Sequence, residues 1–195
     1  MFEVKKLLRH HDIILASQSP RRKELFSMIC DSFKIIPAQG EEIAEEGISV
    51  EEIPCHLALD KCREVAQDNP GSLVIGCDTA VMLDGIVLGK PCSEQDAFDM
   101  LSFLSGKTHK VISGTAIYFG GQYHCFKNVT EVAFKDLSQE DIAAYIATGE
   151  PFDKAGAYGI QGYGSLLVKA ISGDYFNVVG LPLSQLADRL CEILG

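Results

Sequence analysis

Short apolar runs alternate with helical patterns along this chain, and the alternation restricts the folds that it can adopt. The apolar runs predict strands at 12–16, 33–37 and 72–82. Capped or amphipathic segments predict helices at 20–30, 50–68, 93–105, 138–147 and 182–194. Strands interleaved with helices indicate an α/β protein, in which the helices cover the faces of a central sheet.

Residues 108–134 show a different pattern, that of a long antiparallel hairpin. Apolar and β-branched residues lead into Gly120-Gly121, a two-residue turn signal, and similar residues follow it. A hairpin beside strand–helix–strand units makes the predicted sheet mixed. A chain of 195 residues can bury a full core as one or two modest domains. We therefore expect an α/β fold with a mixed central sheet flanked by helices.

The junction between the first predicted strand and the first predicted helix has the features of a phosphate-binding site. Ser19 can cap the helix, and Pro20 suits its first turn, where a missing N–H costs nothing. The free N–H groups of a helix start attract anions, and Arg21 and Arg22 add positive charge beside them. The alternative is an ordinary capped helix with two solvated arginines.

The overall charge narrows the partners that this protein can have. A formal net charge of −10 and a pI near 4.9 argue against polymeric nucleic acid and anionic membranes, because proteins that bind them are usually basic. A cationic corner in so acidic a chain suggests a small polyanionic ligand instead. No apolar run approaches the ~20 residues that span a bilayer, and the first residues lack a signal-peptide core, so we expect a cytoplasmic protein.

A carboxylate follows the apolar stretch of the third predicted strand, in Gly76-Cys77-Asp78-Thr79. Ligands in α/β proteins tend to bind at the carboxyl ends of strands, where Asp78 could hold a metal or take a proton from water. The alternative is an aspartate that makes a local turn. Cys77 beside it could be a covalent nucleophile, but no histidine is its neighbour in the sequence, and the expected chemistry requires no such nucleophile.

Two later segments have the composition of binding loops. Gly89-Lys90-Pro91 fixes the backbone around one ammonium group, which suits phosphate, although many surface turns look the same. Residues 149–162 contain four glycines with charged and amide side chains between them. In this second segment Gln161 could read a base edge, since its amide both donates and accepts.

An acidic pair, Glu41-Glu42, follows the second predicted strand. One of these residues could bring a second carboxylate to a metal ion. Magnesium typically takes one or two protein carboxylates and completes its shell with water and substrate phosphates. The acidic residues after this pair, from Glu45 to Glu52, are better interpreted as a solvated loop and helix start.

Taken in order, these motifs resemble those of the Maf nucleoside triphosphate pyrophosphatases over nearly the whole chain. The matching segments are Ser17-x-Ser19-Pro20-Arg21-Arg22, Asp78-Thr79, Gly89-Lys90-Pro91, Ser105-Gly106-Lys107-Thr108-His109, the 149–162 loop and Asn177-Val178-Val179-Gly180-Leu181-Pro182. The resemblance implies an elongated sheet similar to that of the inosine triphosphate pyrophosphatases. It further implies a single domain over residues 1–195, with two lobes around a central cleft as a possible layout, and a homodimer.

The resemblance also implies a role for each matching residue. It makes Asp78 the general base, and it makes Glu42 and Asp78 ligands of a divalent cation, Mg²⁺ or Mn²⁺. Glu41 stands where the family usually has aspartate. Positions associated with substrate choice are occupied by Arg21, Thr79 and Gln161, and polar positions facing the phosphates by Ser17, Arg22, Lys61 and Lys90. By periodicity alone, Lys61 could equally be an exposed helix lysine.

The expected activity is hydrolysis of a nucleoside triphosphate to its monophosphate and pyrophosphate, by metal-assisted attack of water at the α-phosphate. Asp78-Thr79 together with Gln161 is similar to the branch that acts on dTTP and UTP. Two other interpretations stay open. One is a house-cleaning enzyme for modified pyrimidine nucleotides, and the other is a non-catalytic regulator of cell division.

Overall fold

A seven-stranded sheet organises the computed structural model, which describes residues 2–40, 43 and 47–195. Its strands are β1 (Ile13–Ala16), β2 (Lys34–Ile35), β3 (Leu73–Leu83), β4 (Ile86–Leu88), β5 (Thr108–Phe119), β6 (Gln122–Phe134) and β7 (Val168–Ser172). The strand order is β2-β1-β3-β5-β6-β7, and β4 pairs with β3 outside this path. β1 pairs parallel with β2 and β3, whereas β3–β4 and β6–β7 are antiparallel. The predicted mixed sheet is confirmed.

Seven α-helices accompany the sheet in the described part of the chain. They are α1 (Phe2–Leu8), α2 (Pro20–Ser27), α3 (Ile53–Asp68), α4 (Glu94–Leu104), α5 (Gln139–Ile146), α6 (Tyr175–Val179) and α7 (Leu183–Leu194). Polar caps explain several starts: Ser93 accepts from the N–H of Asp96, and Ser138 forms a capping box with Asp141. Among the described residues, no helix is both long and apolar enough to cross a membrane.

Among the α-helices and strands, four were not predicted, namely α1, β4, β7 and α6. β4 and α6 are only three and five residues long, too short for a periodic pattern. β7 is an edge strand that exposes most of its residues, so its sequence lacks the apolar alternation of an inner strand. The predicted strand at 33–37 is also shorter than expected, since only Lys34–Ile35 pairs with β1.

The described chain divides into two compact units. The first unit contains the described residues up to Asp78 together with 113–128 and 180–195, and the second contains 79–112 and 129–179. β3, β5 and β6 each contribute residues to both units. The expectations of a single domain and of a central cleft between two lobes stay predictions.

Each unit has its own buried core. In the first, α3 supplies Ala58 and Cys62 against Ile14 of β1 and Val74 of β3. In the second, the apolar faces of α4 and α5 pack on the neighbouring strands through Leu101, Leu104, Ile142, Val111 and Val132. These contacts set the positions of the polar side chains at the strand ends and in the loops.

Candidate active site

The start of α2 has the predicted cap. Ser19 is in an extended conformation, and its hydroxyl accepts from the backbone N–H of Arg22 at 3.4 Å. The hydroxyl of Ser17, itself buried, accepts from the N–H of Ser19 at 3.2 Å. Pro20 occupies the first turn, as predicted. The two serines therefore fix the path of the chain from β1 into α2, and with it the backbone position of Arg21 and Arg22.

Arg22 forms hydrogen bonds with three separate segments of the first unit. Its Nε donates to the carbonyl of Gly180 at 2.8 Å, and its Nη1 donates to the carbonyl of Cys77 at 2.7 Å and to Ser17 Oγ at 3.3 Å. A guanidinium suits this position because its planar fork carries several donors. Arg22 was predicted to face phosphate, but these contacts also tie α2 to the backbone beside Asp78. Arg21 is half-buried in the same turn.

Asp78 lies within β3 and forms an ion pair with Lys61 of α3. Lys61 Nζ lies 2.6 Å from Asp78 Oδ1, and the two side chains are only 16% and 13% exposed. Lys61 is therefore not an exposed helix lysine. The ion pair holds the Asp78 carboxylate in one orientation, with a cation directly against it.

Gly76 explains why α3 comes so close to β3. A Cβ at Gly76 would overlap the carbonyl oxygen of Ala58 and lie 2.9 Å from the Cβ of Cys62. Glycine in the interior of a strand often marks such a close approach of another backbone. Because α3 is in contact with the strand at Ala58 and Cys62, Lys61 on the same helix reaches Asp78 two residues beyond Gly76.

The side chain of Cys77 is buried, and its surroundings disfavour attack by the thiol. Its thiol lies 3.4 Å from the carbonyl of Gly180, to which it donates, and it accepts from the hydroxyl of Thr115 at 3.8 Å. Burial raises the pKa of the Cys77 thiol, so the thiolate required for attack is disfavoured. The proposed role of the neighbouring Asp78 stays a prediction.

The second unit contains the other predicted residues. Thr79 is half-buried, and Lys90 is exposed after β4. The backbone N–H of Gly156 donates to the carbonyl of Gly89 at 2.9 Å, which joins the 149–162 loop to the segment that carries Lys90. Gln161 is exposed in the same loop, immediately before a 3₁₀ helix, Gly162–Leu166.

Two residues that order this loop, Glu150 and His109, lie in matching motifs but were not predicted to have a role of their own. Glu150 accepts from the backbone of Tyr163 and Gly164. His109 of β5 is 1% exposed, and its Nε2 lies 2.7 Å from the hydroxyl of Tyr158. Burial lowers the pKa of His109 to about 4, so the imidazole is neutral near pH 7. The signal that could have found His109 is a histidine inside an otherwise strand-like segment.

Glu41 and Glu42, the predicted acidic pair, lie outside the described residues. Within the described ranges, no group of three or more histidine, cysteine or acidic side chains is placed to hold a metal ion. A single carboxylate still fits the chemistry of magnesium, which draws most of its ligands from water and phosphate. The half-buried carboxylate of Asp78 is of that kind, although a bound cation would compete with Lys61.

Known proteins are similar to this chain over most of its length. The family model described as "Maf-like protein" matches residues 12–193. A curated Bacillus cereus protein named dTTP/UTP pyrophosphatase is 49% identical over 91% of this chain and 93% of its own length. A protein of the same name from Bacillus thuringiensis subsp. konkukian is 48% identical over the same shares. The solved structure of the Staphylococcus aureus Ham1 protein superposes with 64% of this chain and 72% of its own, at 15% identity and a TM-score of 0.45.

Proposed function

Because this chain belongs to the Maf-like protein family, we propose that it is a nucleotide diphosphatase that hydrolyses dTTP and UTP to the monophosphate and pyrophosphate. The observation that carries the proposal is the near full-length identity, close to half of all positions, with relatives that bear that name. The substrate is thus a pyrimidine nucleoside triphosphate, and modified pyrimidine nucleotides are included in the proposed class. We extend the proposal to a homodimer in the cytoplasm, on the family resemblance.

The proposed reaction is attack of water on the α-phosphorus. The water oxygen forms a bond to the α-phosphorus, and the bond from that phosphorus to the α–β bridging oxygen breaks, so that pyrophosphate leaves. Asp78 orients the water and accepts one of its protons. The ion pair with Lys61 supports this role, because it fixes the carboxylate before substrate arrives.

Cationic groups would stabilise the charge that builds on the leaving group. Four residues are proposed to contact phosphate oxygens: Ser17, Arg21, Arg22 and Lys90. Lys61 can also turn to phosphate when substrate binds, since its ammonium lies beside the reacting carboxylate. A Mg²⁺ or Mn²⁺ ion held by Asp78 and Glu42 would neutralise further phosphate charge when bound.

Base preference is proposed to depend on Gln161 and Thr79. Uracil and thymine present an acceptor, a donor and an acceptor along one edge. One amide can match two adjacent positions of that edge, and a hydroxyl can match one more. A base that leaves these groups unpaired is rejected, because each lost buried hydrogen bond costs ~1–3 kcal/mol.

A pyrophosphate-release screen tests the proposal. The purified protein is incubated with dTTP, UTP, GTP and methylated GTP, each with Mg²⁺ or Mn²⁺. We expect the highest kcat/KM for dTTP and UTP, whereas equal or faster turnover of the guanine nucleotides would contradict the substrate assignment. A purely regulatory protein would release no pyrophosphate from any of them.

Asp78→Asn tests the proposed base in the same assay. It should still fold, at lower stability because Lys61 loses its partner, and it should lose ~10²–10⁴-fold in kcat, the usual effect of removing a general base. Asp60→Asn is the matched control, because Asp60 is an exposed aspartate on α3 whose partner is Arg63 at 3.6 Å. Turnover by Asp78→Asn near that of the control would overturn the assignment of Asp78.

A further inference from the structure

One carboxylate organises the segment of the second unit that carries Gln161. Glu150 Oε1 accepts from the hydroxyl of Tyr145 and from the N–H of Gly164, each at 3.0 Å. Glu150 Oε2 accepts from the N–H of Tyr163, also at 3.0 Å. Both oxygens of the carboxylate are thus directed at the protein, two of the three bonds being to backbone just after Gln161.

Tyr145 extends this contact to the other side of Gln161. Its hydroxyl, which donates to Glu150, also accepts from the N–H of Gly159 at 3.2 Å. Tyr145 is only 4% exposed, and burial raises its pKa, so the phenol keeps the proton that it donates to Glu150. The backbone amides at 159, 163 and 164 are therefore held by a single pair of side chains.

Two glycines of this segment, Gly162 and Gly164, lie where a side chain would not fit. Gly162 has a positive φ of 64°, and a Cβ there would lie 2.6 Å from Glu150 Oε2. A Cβ at Gly164 would overlap the carbonyl oxygen of Gly159. The chain thus turns closely around Glu150, and Gln161 lies within that turn.

We propose that Glu150 is a positioning residue for Gln161, and that it sets base preference by fixing the backbone on both sides of that amide. The inference rests on the proposed function, since it deepens the account of how pyrimidines are selected. Hydrogen bonds from amides to a carboxylate are stronger than neutral ones, which explains a glutamate at this place. Glu150 acts through Gln161 and takes no part in the attack on phosphorus.

Glu150→Gln is the first test, because the amide keeps the size of the side chain but replaces one acceptor oxygen with a donor. We expect the ratio of kcat/KM for UTP over GTP to fall about tenfold, the effect of roughly one hydrogen bond. The kcat for UTP should stay within about threefold of wild type, since the phosphate chemistry is untouched. Glu140→Gln, an exposed glutamate in the first turn of α5, is the matched control and should change neither value.

Tyr145→Phe is the second test, and it keeps the proposal falsifiable if Glu150→Gln does not fold. It removes the hydroxyl that joins Glu150 to Gly159, and it should lower the same ratio. In a Gln161→Ala background, neither change should lower the ratio further. A fall of equal size in that background would overturn the proposal, because the effect would not pass through Gln161.

Amide hydrogen exchange, measured residue by residue by NMR, separates this inference from the proposed function. Exchange at Gly159, Tyr163 and Gly164 should be faster in Glu150→Gln than in wild type and unchanged in Glu140→Gln. If the wild type cleaves no nucleotide, the proposed function fails and exchange still tests the positioning. Unchanged exchange at all three amides would overturn the role of Glu150 even in an active enzyme.

Discussion

The buried imidazole of His109 should make the stability of this protein fall as the medium is acidified. In the folded state its pKa is about 4, whereas a histidine in the unfolded chain titrates near 6.5. The unfolded state therefore binds more protons than the folded state between these two values. The free energy of unfolding must then fall as pH falls through this window, and the contribution of His109 is fully present only above about pH 6.5.

The magnitude follows from the same two pKa values. Going from pH 7 to pH 4.5, linkage removes roughly 2 kcal/mol of stability through this one group. The side chain is 1% exposed, so solvent screening does not reduce the effect much. Protonation would also disturb the contact with Tyr158, whose hydroxyl lies 2.7 Å from His109 Nε2.

Urea unfolding at pH 7.0 and pH 4.5 measures this effect. In His109→Gln, an amide replaces the imidazole and cannot titrate. The gap, defined as the wild-type free energy of unfolding minus that of the variant, should therefore be roughly 2 kcal/mol lower at pH 4.5 than at pH 7.0. Carboxylates with lowered pKa, such as Asp12 and Asp31, titrate in both proteins and cancel. His10→Gln, at an exposed histidine, is the control. A gap that is the same at both pH values would refute the reasoning.

Three further predictions concern the candidate site. Gly76→Ala should lower the free energy of unfolding by roughly 2–4 kcal/mol, because the added methyl group would overlap the carbonyl of Ala58. Urea unfolding measures this, and an unchanged midpoint would contradict the close packing. Arg22→Lys should lower the free energy of unfolding by roughly 1–3 kcal/mol, because an ammonium cannot replace the guanidinium's several donors. The control Lys23→Ala, on the exposed face of α2, should shift it by under about 0.5 kcal/mol. Gln161→Ala should reduce the preference for UTP over GTP more than it reduces kcat for UTP, and steady-state kinetics with both nucleotides would show the reverse if the amide served the phosphates.

Local signals in the sequence were sufficient for the elements that depend on local chemistry. The turn at Gly120-Gly121 adopts positive φ at both residues, as a two-residue hairpin between β5 and β6 requires. The start of α2 follows from Ser19 and Pro20, which act on their own helix. Such features involve residues close in sequence, so a single sequence reveals them.

The contacts of the candidate site depend on packing between distant segments, which a single sequence does not reveal. Lys61 and Asp78 are 17 residues apart, and they meet because Gly76 lets α3 approach β3. In the sequence, nothing distinguishes Glu150 from other polar residues of a glycine-rich loop. Its role becomes visible only in the structure, where the N–H groups of Tyr163 and Gly164 donate to it. The roles of Glu41 and Glu42 stay predictions, as they lie outside the described residues.

Arg22 shows why a charged motif should not be assigned to the ligand alone. Its guanidinium joins α2 to the carbonyl of Cys77, 55 residues away, and to that of Gly180, 158 residues away, so three of the predicted motifs meet at one side chain. One of these carbonyls immediately precedes Asp78, so a change at Arg22 can affect the proposed base as well as the proposed phosphate contact. A loss of turnover in Arg22→Lys would combine the two effects. Only the comparison of its stability with its KM and kcat can show which of them limits the enzyme.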